Sequence, residues 1–310
     1  MDPGFGLEVW RGGVNTWECD DMGHMNVRFH VARAMEGLVG LAGALGLEGA
    51  FRPNAETTLL VREQHIRFLR EARAGAPLHM TAGVMALGET EARFLQLLIH
   101  SRTGQIAASF QTVVAHVTAR EGRAFAWSHR TRALAGKLMV KVPVGTAPRS
   151  IASAPVARVA SVAEADKLGL IQLSAGAFGG QDCDAFGRMR PELFIGRVSD
   201  GVPGLARLIR GEHPAPERPS RLGGAVLEYR LIHLSWPRAG DRFEIRSGLV
   251  AAEERFQRLV HWMLDPVTGR AWGTAEAVAA SLDLDTRKLV PMDAQALARA
   301  RRRITPGLAL

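Results

Sequence analysis

An internal repeat limits what this chain can fold into more than any other feature of its sequence. Residues 17–26, WECDDMGHMN, align without a gap with residues 181–190, QDCDAFGRMR, which lie 164 residues later. Further short matches follow at offsets of 164 and 165 residues and keep this register over more than eighty residues. Because chance would not keep several matches in register, we infer two tandem copies of one small unit. The matched positions include Arg33 with Arg197, Glu36 with Asp200, Glu63 with Glu228, and Gly75 with Gly240.

Each copy has the same predicted order of elements. A short strand leads into a turn that carries an aspartate, and Gly23 or Gly187 supplies the conformational freedom of a tight turn. A long apolar segment follows, 27–47 or 191–209, and its length and its Ala, Leu and Val content favour a helix. Four strands complete the unit, so we predict an α+β fold in which an antiparallel sheet wraps around one long central helix. The predicted strands are 6–14, 58–69, 78–85, 92–100 and 106–117, and then 170–178, 222–234, 242–250, 255–263 and 271–281.

The repeat also divides the chain into four predicted segments. The first unit covers residues 1–120 and the second unit covers residues 161–285. Residues 121–160 contain Pro143, Pro148 and Pro155 among basic and small residues, which is typical of a helical piece followed by an extended connector. Residues 286–310 form a basic C-terminal segment.

The composition restricts the class of protein further. Of 310 residues, 47% are hydrophobic and 23% are charged, which is typical of a globular protein, and the net charge is +8. A basic surface suits a nucleic acid, an anionic membrane or a polyanionic small molecule such as coenzyme A. No zinc-finger, RNP-type or phosphate-loop motif supports nucleic-acid binding, and no uncharged stretch reaches the roughly 20 residues that span a bilayer.

The two cysteines and the N-terminus indicate the compartment. Residues 1–7 lack a basic segment followed by an apolar run, so we expect no secretory signal. Cys19 and Cys183 lie at equivalent points of the two copies, and we therefore expect a reduced, cytoplasmic protein with buried, inert thiols. We predict no metal site, because no further ligand clusters near Cys19 and His24.

The order strand, Asp-x-x-Gly turn, helix and sheet resembles the hot-dog fold. Residues 18–26, ECDDMGHMN, resemble the signature Asp-x-Asp-x-x-Gly-His-Val-Asn of its 4-hydroxybenzoyl-CoA thioesterase-like branch. The resemblance implies a tandem, or double hot-dog, acyl-CoA thioesterase, whose two units form a covalent pseudo-dimer. It also implies hydrolysis of an acyl thioester, coenzyme A as part of the substrate, no separate cofactor, and association of the pseudo-dimers into a homo-oligomer.

Asp20 is the first candidate for the catalytic carboxylate. It lies just before the predicted helix, so the three amides from Met25 to Val27 are expected to face the same volume and to bind a developing oxyanion. Asp20 would attack the thioester carbonyl or activate a water, and the sequence does not choose between the two. Asn26 would position the water or the thioester oxygen, and His24 would orient the loop or polarise the substrate. The structural alternative for Asp20 is a helix cap.

The second copy keeps only the front of the signature. Asp184 and Gly187 repeat Asp20 and Gly23, and both glycines are expected to shape a substrate site. Arg188 and Arg190 stand where the signature has His and Asn, and they suit contacts with phosphate better than activation of a water. We therefore predict one competent site at Asp20 and a second site at Asp184 that is altered or used for binding.

Two further pairs of carboxylates recur in both copies. Glu63 and Glu228 occupy the first strand after the helix, inside a Val-x-Glu sequence, where they would contact substrate or simply face solvent. Glu36 and Asp200 share one position in the helix and are alternative bases, since other hot-dog branches use a carboxylate from this helix.

Two other functions stay open at this point. A hot-dog hydratase resembles Asp-x-Asn-Pro-x-His, which places His five residues after Asp, whereas His24 follows Asp20 by four. A non-catalytic acyl-CoA-binding module would suit the altered second motif.

Overall fold

The structure, a computed structural model, describes residues 6–156, 159–210 and 222–310. Three stretches lie outside the described residues: 1–5 in the predicted first unit, 157–158 in the predicted connector and 211–221 in the predicted second unit. The chain separates into two compact units. Unit 1 comprises Met1–Pro148 with Cys183–Glu192, and unit 2 comprises Arg149–Asp182 with Leu193–Leu310. The second copy of the motif turn therefore belongs to unit 1.

Unit 1 contains an antiparallel sheet of five strands in the order β1-β3-β4-β5-β2. A helix, α1, follows the first strand, and a shorter helix, α2, follows the last. The elements are β1 (Leu7–Gly13), α1 (Val27–Ala44), β2 (Thr57–Phe68), β3 (Pro77–Leu87), β4 (Glu91–His100), β5 (Ile106–Thr118) and α2 (His129–Lys137).

Helix α1 packs on β1, β3 and β4, and its buried face supplies much of the core of unit 1. Leu38 and Leu41 on this face are fully buried. Gly40 explains how closely the helix approaches the sheet, because a Cβ at this position would lie 2.6 Å from the carbonyl oxygen of Val9. A side chain there would therefore push the helix away from β1.

Unit 2 repeats the same plan. Its five strands pair antiparallel in the order β7-β10-β9-β8-β6. The C-terminal segment packs onto this sheet, where Leu308 joins a buried cluster with Trp262 and the Trp262 indole donates to the Ala309 carbonyl at 3.0 Å. The elements are α3 (Val162–Lys167), β6 (Ile171–Ala177), α4 (Glu192–Arg210), β7 (Leu222–His233), β8 (Arg242–Ala252), β9 (Gln257–Leu264), β10 (Ala271–Asp283) and α5 (Ala294–Arg301).

The predicted secondary structure is confirmed in order and type. Each predicted strand begins and ends within two residues of an observed strand, and both long apolar segments are helices. The predicted antiparallel sheets are also confirmed. Among the described residues, no helix is both long and apolar enough to cross a membrane.

Candidate active site

The turn that carries Asp20 is closed by the aspartate itself. Asp20 Oδ1 accepts hydrogen bonds from the amides of Met22 and His24, both at 3.0 Å, and the Asp20 amide donates to the His24 carbonyl at 2.7 Å. Gly23 has a φ of 77°, a left-handed conformation that glycine adopts without strain. One carboxylate oxygen thus holds the turn, while Oδ2 receives no hydrogen bond from any described residue.

Asn26, rather than Asp20, caps helix α1. Its side chain accepts from the Arg28 amide at 2.9 Å, and its carbonyl accepts from the Phe29 amide. The alternative of a helix cap at Asp20 is therefore wrong, because the amides that Asp20 binds belong to the turn and not to the helix. The electropositive start of α1 follows this turn directly.

Two of the three amides expected to bind an oxyanion already have acceptors. The Met25 amide donates to the Ala72 carbonyl at 2.7 Å, and the Asn26 amide donates to the Glu18 carbonyl at 2.8 Å. The Val27 amide has no acceptor among the residues that the structure describes. It is the amide of this group that remains available to a substrate.

His24 is buried beside a carboxylate that sequence reasoning missed. Its Nε2 lies 3.0 Å from Glu71 Oε2, and this oxygen also contacts Arg73 at 3.4 Å. The two groups are in contact without a hydrogen bond, since His24 Nε2 has no hydrogen-bond partner among the described residues. A comparison of the repeats contained a signal for this pair, because the second copy changes both partners together: Arg188 replaces His24 and Trp236 replaces Glu71.

The turn at Asp184 has the same backbone but a different surrounding. Asp184 Oδ1 accepts from the amides of Phe186 and Arg188 at 2.8 and 2.9 Å, as Asp20 does in the first turn. The Arg188 side chain is buried and its guanidinium donates to the carbonyls of Ala119 and Arg120. Arg188 therefore holds the end of β5, and its proposed contact with phosphate stays a prediction.

A second buried carboxylate, Glu192, lies close to the altered turn. Glu192 Oε1 is 3.4 Å from Arg190 Nε, and only 5% of the residue is exposed. Burial raises the pKa of Glu192; the positive charges of Arg190 and Arg28 oppose the shift, and Glu36 adds to it. Sequence reasoning missed Glu192, although it occupies the position equivalent to Arg28 in the repeat.

The helix carboxylates considered as alternative bases are paired with arginine. Arg33 contacts both Glu18 and Glu36, the latter at 2.5 Å. The second copy has the same arrangement, with Arg197 at 3.7 Å from both Asp182 and Asp200. These pairs explain why the repeat retains charge within an apolar helix.

The recurrent strand carboxylates differ in their surroundings. Both oxygens of Glu228 accept backbone amides, from Arg149 at 3.1 Å, Ser150 at 2.9 Å and Ile151 at 3.2 Å. Glu228 thus fastens the chain after the predicted connector helix to β7. Glu63 is half-buried in β2, next to a bulge between Val61 and Glu63.

The two cysteines are only half-buried. This corrects the expectation that Cys19 and Cys183 are both buried, and they form no disulfide. Cys19 Sγ lies 3.5 Å from the Asn15 carbonyl oxygen. No group of three or more His, Cys, Asp or Glu side chains is placed to hold a metal within residues 6–156, 159–210 and 222–310.

A family model described as the thioesterase-like superfamily matches residues 14–138 and again residues 180–300. The two matches coincide with the two repeats and cover well over half of the chain. The chain belongs to the thioesterase-like superfamily. Membership confirms the predicted class of enzyme, a thioester hydrolase, and its tandem form. No curated protein matches the chain.

Three solved structures of thioesterases share the fold of this superfamily member. A putative oleoyl thioesterase from Lactobacillus plantarum is 12% identical with a TM-score of 0.66, covering 88% of this chain and 96% of its own. The 12:0-ACP thioesterase from Umbellularia californica is 12% identical with a TM-score of 0.62, covering 87% and 92%. An acyl-ACP thioesterase from Bacteroides thetaiotaomicron is 10% identical with a TM-score of 0.62, covering 87% and 96%. At these identities the likeness confirms the hot-dog fold alone.

Proposed function

We propose that the chain hydrolyses acyl-coenzyme A and that the Asp20 carboxylate is its catalytic base or nucleophile. The observation that carries the proposal is that the two oxygens of this carboxylate have different surroundings. Oδ1 is held by two amides of the turn, which fixes the position of the group, and Oδ2 receives no hydrogen bond from the described residues. An anchored carboxylate with one available oxygen, directly before a helix start, suits the chemistry of thioester hydrolysis.

The Val27 amide is our candidate for the oxyanion donor. Met25 and Asn26 donate to carbonyls within the protein, so they support the turn rather than the substrate. A single amide aimed at a developing oxyanion contributes about 10²- to 10³-fold to the rate, and the dipole of α1 adds to its effect.

Two routes to hydrolysis use these two groups. As a base, Asp20 removes a proton from a water that attacks the thioester carbonyl, and the oxyanion forms at Val27 N. Collapse of this intermediate breaks the carbon–sulfur bond, and the departing thiolate takes the proton from Asp20. As a nucleophile, Asp20 Oδ2 attacks the thioester carbonyl and the carbon–sulfur bond breaks, so the coenzyme A thiolate leaves and takes a proton from solvent. Water then hydrolyses the resulting anhydride to the free acid and the Asp20 carboxylate. After one turnover in ¹⁸O-water, ¹⁸O in Asp20 identifies the nucleophilic route, because only hydrolysis of an anhydride at the aspartyl carbonyl puts it there.

His24 and Asn26 act as positioning residues in this proposal. Glu71 contacts the His24 ring, and Asn26 caps the helix whose first amides face the substrate. Among the arginines of the second turn, Arg190 suits a phosphate of coenzyme A better than Arg188 does, because its side chain is 40% exposed. Of the strand carboxylates, Glu63 remains a candidate substrate contact, whereas Glu228 already accepts three amides.

We extend the proposal to the fold and the partners. The buried face of α1 and its packing on three strands support a sheet that wraps around a central helix in unit 1. The substrate is a small molecule with coenzyme A as its carrier, and no separate cofactor is required. A cytoplasmic location and a homo-oligomer of pseudo-dimers remain parts of the proposal.

The test compares three matched Asp→Asn variants by the release of free thiol from a panel of acyl-coenzyme A substrates. In Asp20→Asn, the new Oδ1 still accepts from Met22 and His24, so the turn folds while the charge is lost. We expect kcat/KM to fall about 10²- to 10⁴-fold. Asp21→Asn changes an exposed neighbour and serves as the control. Asp184→Asn is expected to retain most of the activity.

Two results would contradict the proposal. Equal activity in Asp20→Asn and Asp21→Asn would remove the catalytic role of Asp20. Saturable binding of acyl-coenzyme A without release of thiol from any substrate would favour a binding module instead.

A further inference from the structure

Gln64 in β2 is buried without a hydrogen-bond partner. Its exposure is 0%, and neither Oε1 nor Nε2 has a partner among the described residues. A buried polar group that makes no hydrogen bond is costly to the folded protein. Such a residue therefore needs an explanation, and a ligand is one explanation.

Gln96 shows how the same unit treats another buried glutamine. Gln96 is also 0% exposed, but its Nε2 donates to the Ala34 carbonyl of α1 and its Oε1 accepts from Thr112 Oγ1 at 2.9 Å. Thr112 lies directly opposite Gln64 in the β2–β5 register, so both point to the face of the sheet that α1 covers. On the same face of the sheet, Gln96 therefore has partners for both polar atoms of its amide, and Gln64 has none.

The position of Gln64 relates it to the candidate active site. Gln64, Ile66 and Phe68 alternate onto one face of β2, and the Phe68 ring lies 5.2 Å from the ring of His30. His30 belongs to the first turn of α1, directly after the Asp20 turn. Four residues of strand separate Phe68 from Gln64, which is about 13 Å.

Unit 2 repeats this feature at the equivalent position. Tyr229 is 2% exposed and its hydroxyl has no hydrogen-bond partner among the described residues. Four residues later on the same face of β7, the His233 ring lies 6.2 Å from Phe194 in the first turn of α4. A different residue type with the same unpartnered polar end therefore occurs in the second repeat, which argues against an accident of packing at Gln64.

We propose that Gln64 binds a hydroxyl group carried by the acyl chain far from the thioester. The proposal rests on the proposed function, because the acyl chain would start at Asp20 and lie along the face of β2 from Phe68 to Gln64. A hydroxyl matches the amide because it accepts from Nε2 and donates to Oε1. Ile66 and Thr112 beside it are uncharged, so a carboxylate or ammonium group would be buried there without a counter-charge. The substrate class is a long-chain acyl-coenzyme A with a distal hydroxyl group.

The kinetic test uses dodecanoyl-, 3-hydroxydodecanoyl- and 12-hydroxydodecanoyl-coenzyme A. We expect the wild type to prefer the 12-hydroxy substrate over the other two. Gln64→Leu should lower kcat/KM for the 12-hydroxy substrate about tenfold or more and leave dodecanoyl-coenzyme A within twofold. Hydrolysis of all three substrates with no such preference, or a preference that Gln64→Leu leaves unchanged, would overturn the inference while the proposed function stands.

A binding measurement decides the inference even if no acyl-coenzyme A is hydrolysed. Calorimetry compares 12-hydroxydodecanoic acid with dodecanoic acid on wild type, Gln64→Leu and Gln64→Met, which matches the length of glutamine. We expect the hydroxy acid to bind wild type more tightly, and both variants to lose that difference. Equal binding of the two acids to wild type would overturn the inference. Thermal melting provides the control for folding, because loss of an unpartnered amide should leave the melting temperature unchanged or higher.

Discussion

Replacement of Glu228 by alanine tests whether this recurrent carboxylate supports the fold or the substrate. Its two oxygens accept amides from Arg149, Ser150 and Ile151, and the residue is only 2% exposed. Ile151 is buried as well, so its amide would lose its acceptor without access to water, at about 1–3 kcal/mol. Arg149 and Ser150 are exposed, so water can replace the lost acceptor. The loss of each hydrogen bond should then cost only its net contribution to stability, about 1–1.5 kcal/mol.

The free energy of unfolding is therefore expected to fall by about 3–6 kcal/mol. For a unit of this size the melting temperature should fall on the order of 10 °C. Arg230 still donates to the carbonyls of Ala152 and Ala154, both at 2.8 Å, so the segment should loosen at residues 149–151 rather than detach. Hydrogen exchange should show the loss of protection at these three amides, and urea unfolding should give the loss of stability.

The control is Glu254→Ala, which removes an exposed glutamate from the same unit and should change stability by less than about 0.5 kcal/mol. At a temperature where Glu228→Ala is folded, its KM should remain within about twofold of the wild-type value. A stable Glu228→Ala protein with a raised KM would refute the structural role and return Glu228 to the substrate site.

Three further predictions concern His30, Gly40 and Glu71. Burial lowers the pKa of His30 to about 4, so between pH 6.5 and 4 the unfolded chain binds a proton that the native chain does not. The free energy of unfolding should therefore decrease by up to about 3 kcal/mol as the pH is lowered through that window. His30→Phe should remove this part of the pH dependence, measured by urea unfolding from pH 7 to 4. Gly40→Ala should destabilise the protein by about 1–3 kcal/mol through contact with the β1 backbone. Gly43→Ala, which meets nothing within 4 Å, should be neutral or stabilising in the same thermal melts. Glu71→Leu should release His24 and lower kcat about tenfold with little change in KM, and an unchanged kcat would contradict a positioning role.

The order of elements could be predicted because it depends on local patterns. Alternating apolar residues, turn glycines and one long Ala- and Leu-rich segment per copy predicted ten strands and two helices close to their observed bounds. The turn at Asp20 was also predictable, since Asp, two residues and Gly form a local motif whose hydrogen bonds lie within the motif itself.

Contacts between distant segments could not be predicted in the same way. Glu71 reaches His24 only because the chain before β3 returns to the motif turn, and Glu192 gains its surroundings from Arg28 in the other copy of the repeat. Arg188 was assigned to phosphate by its residue type, yet its side chain is buried against the carbonyls at the end of β5. Residue type predicts charge, but burial depends on which backbone carbonyls the fold brings near.

The repeats also exchange residues in pairs, which bears on how the two copies diverged. His30 and Phe68 are in ring contact in unit 1, and Phe194 and His233 occupy the equivalent positions in unit 2 with the two residue types exchanged. A change at one position was matched at its partner, so the contact between the first helical turn and the strand was retained.

The two motif turns keep equivalent hydrogen bonds, although the residues around them differ. Asp20 and Asp184 each accept from the amides two and four residues later. The turn geometry alone therefore does not distinguish a catalytic aspartate from a structural one. What differs is the environment beyond the glycine, where His24 with Glu71 has given way to Arg188 and Trp236. If the aspartate only closed the turn, Asp→Asn would be equally mild in both copies, because asparagine retains the accepting oxygen. A large loss at Asp20 together with a small loss at Asp184 is therefore the pattern that separates catalysis from turn formation.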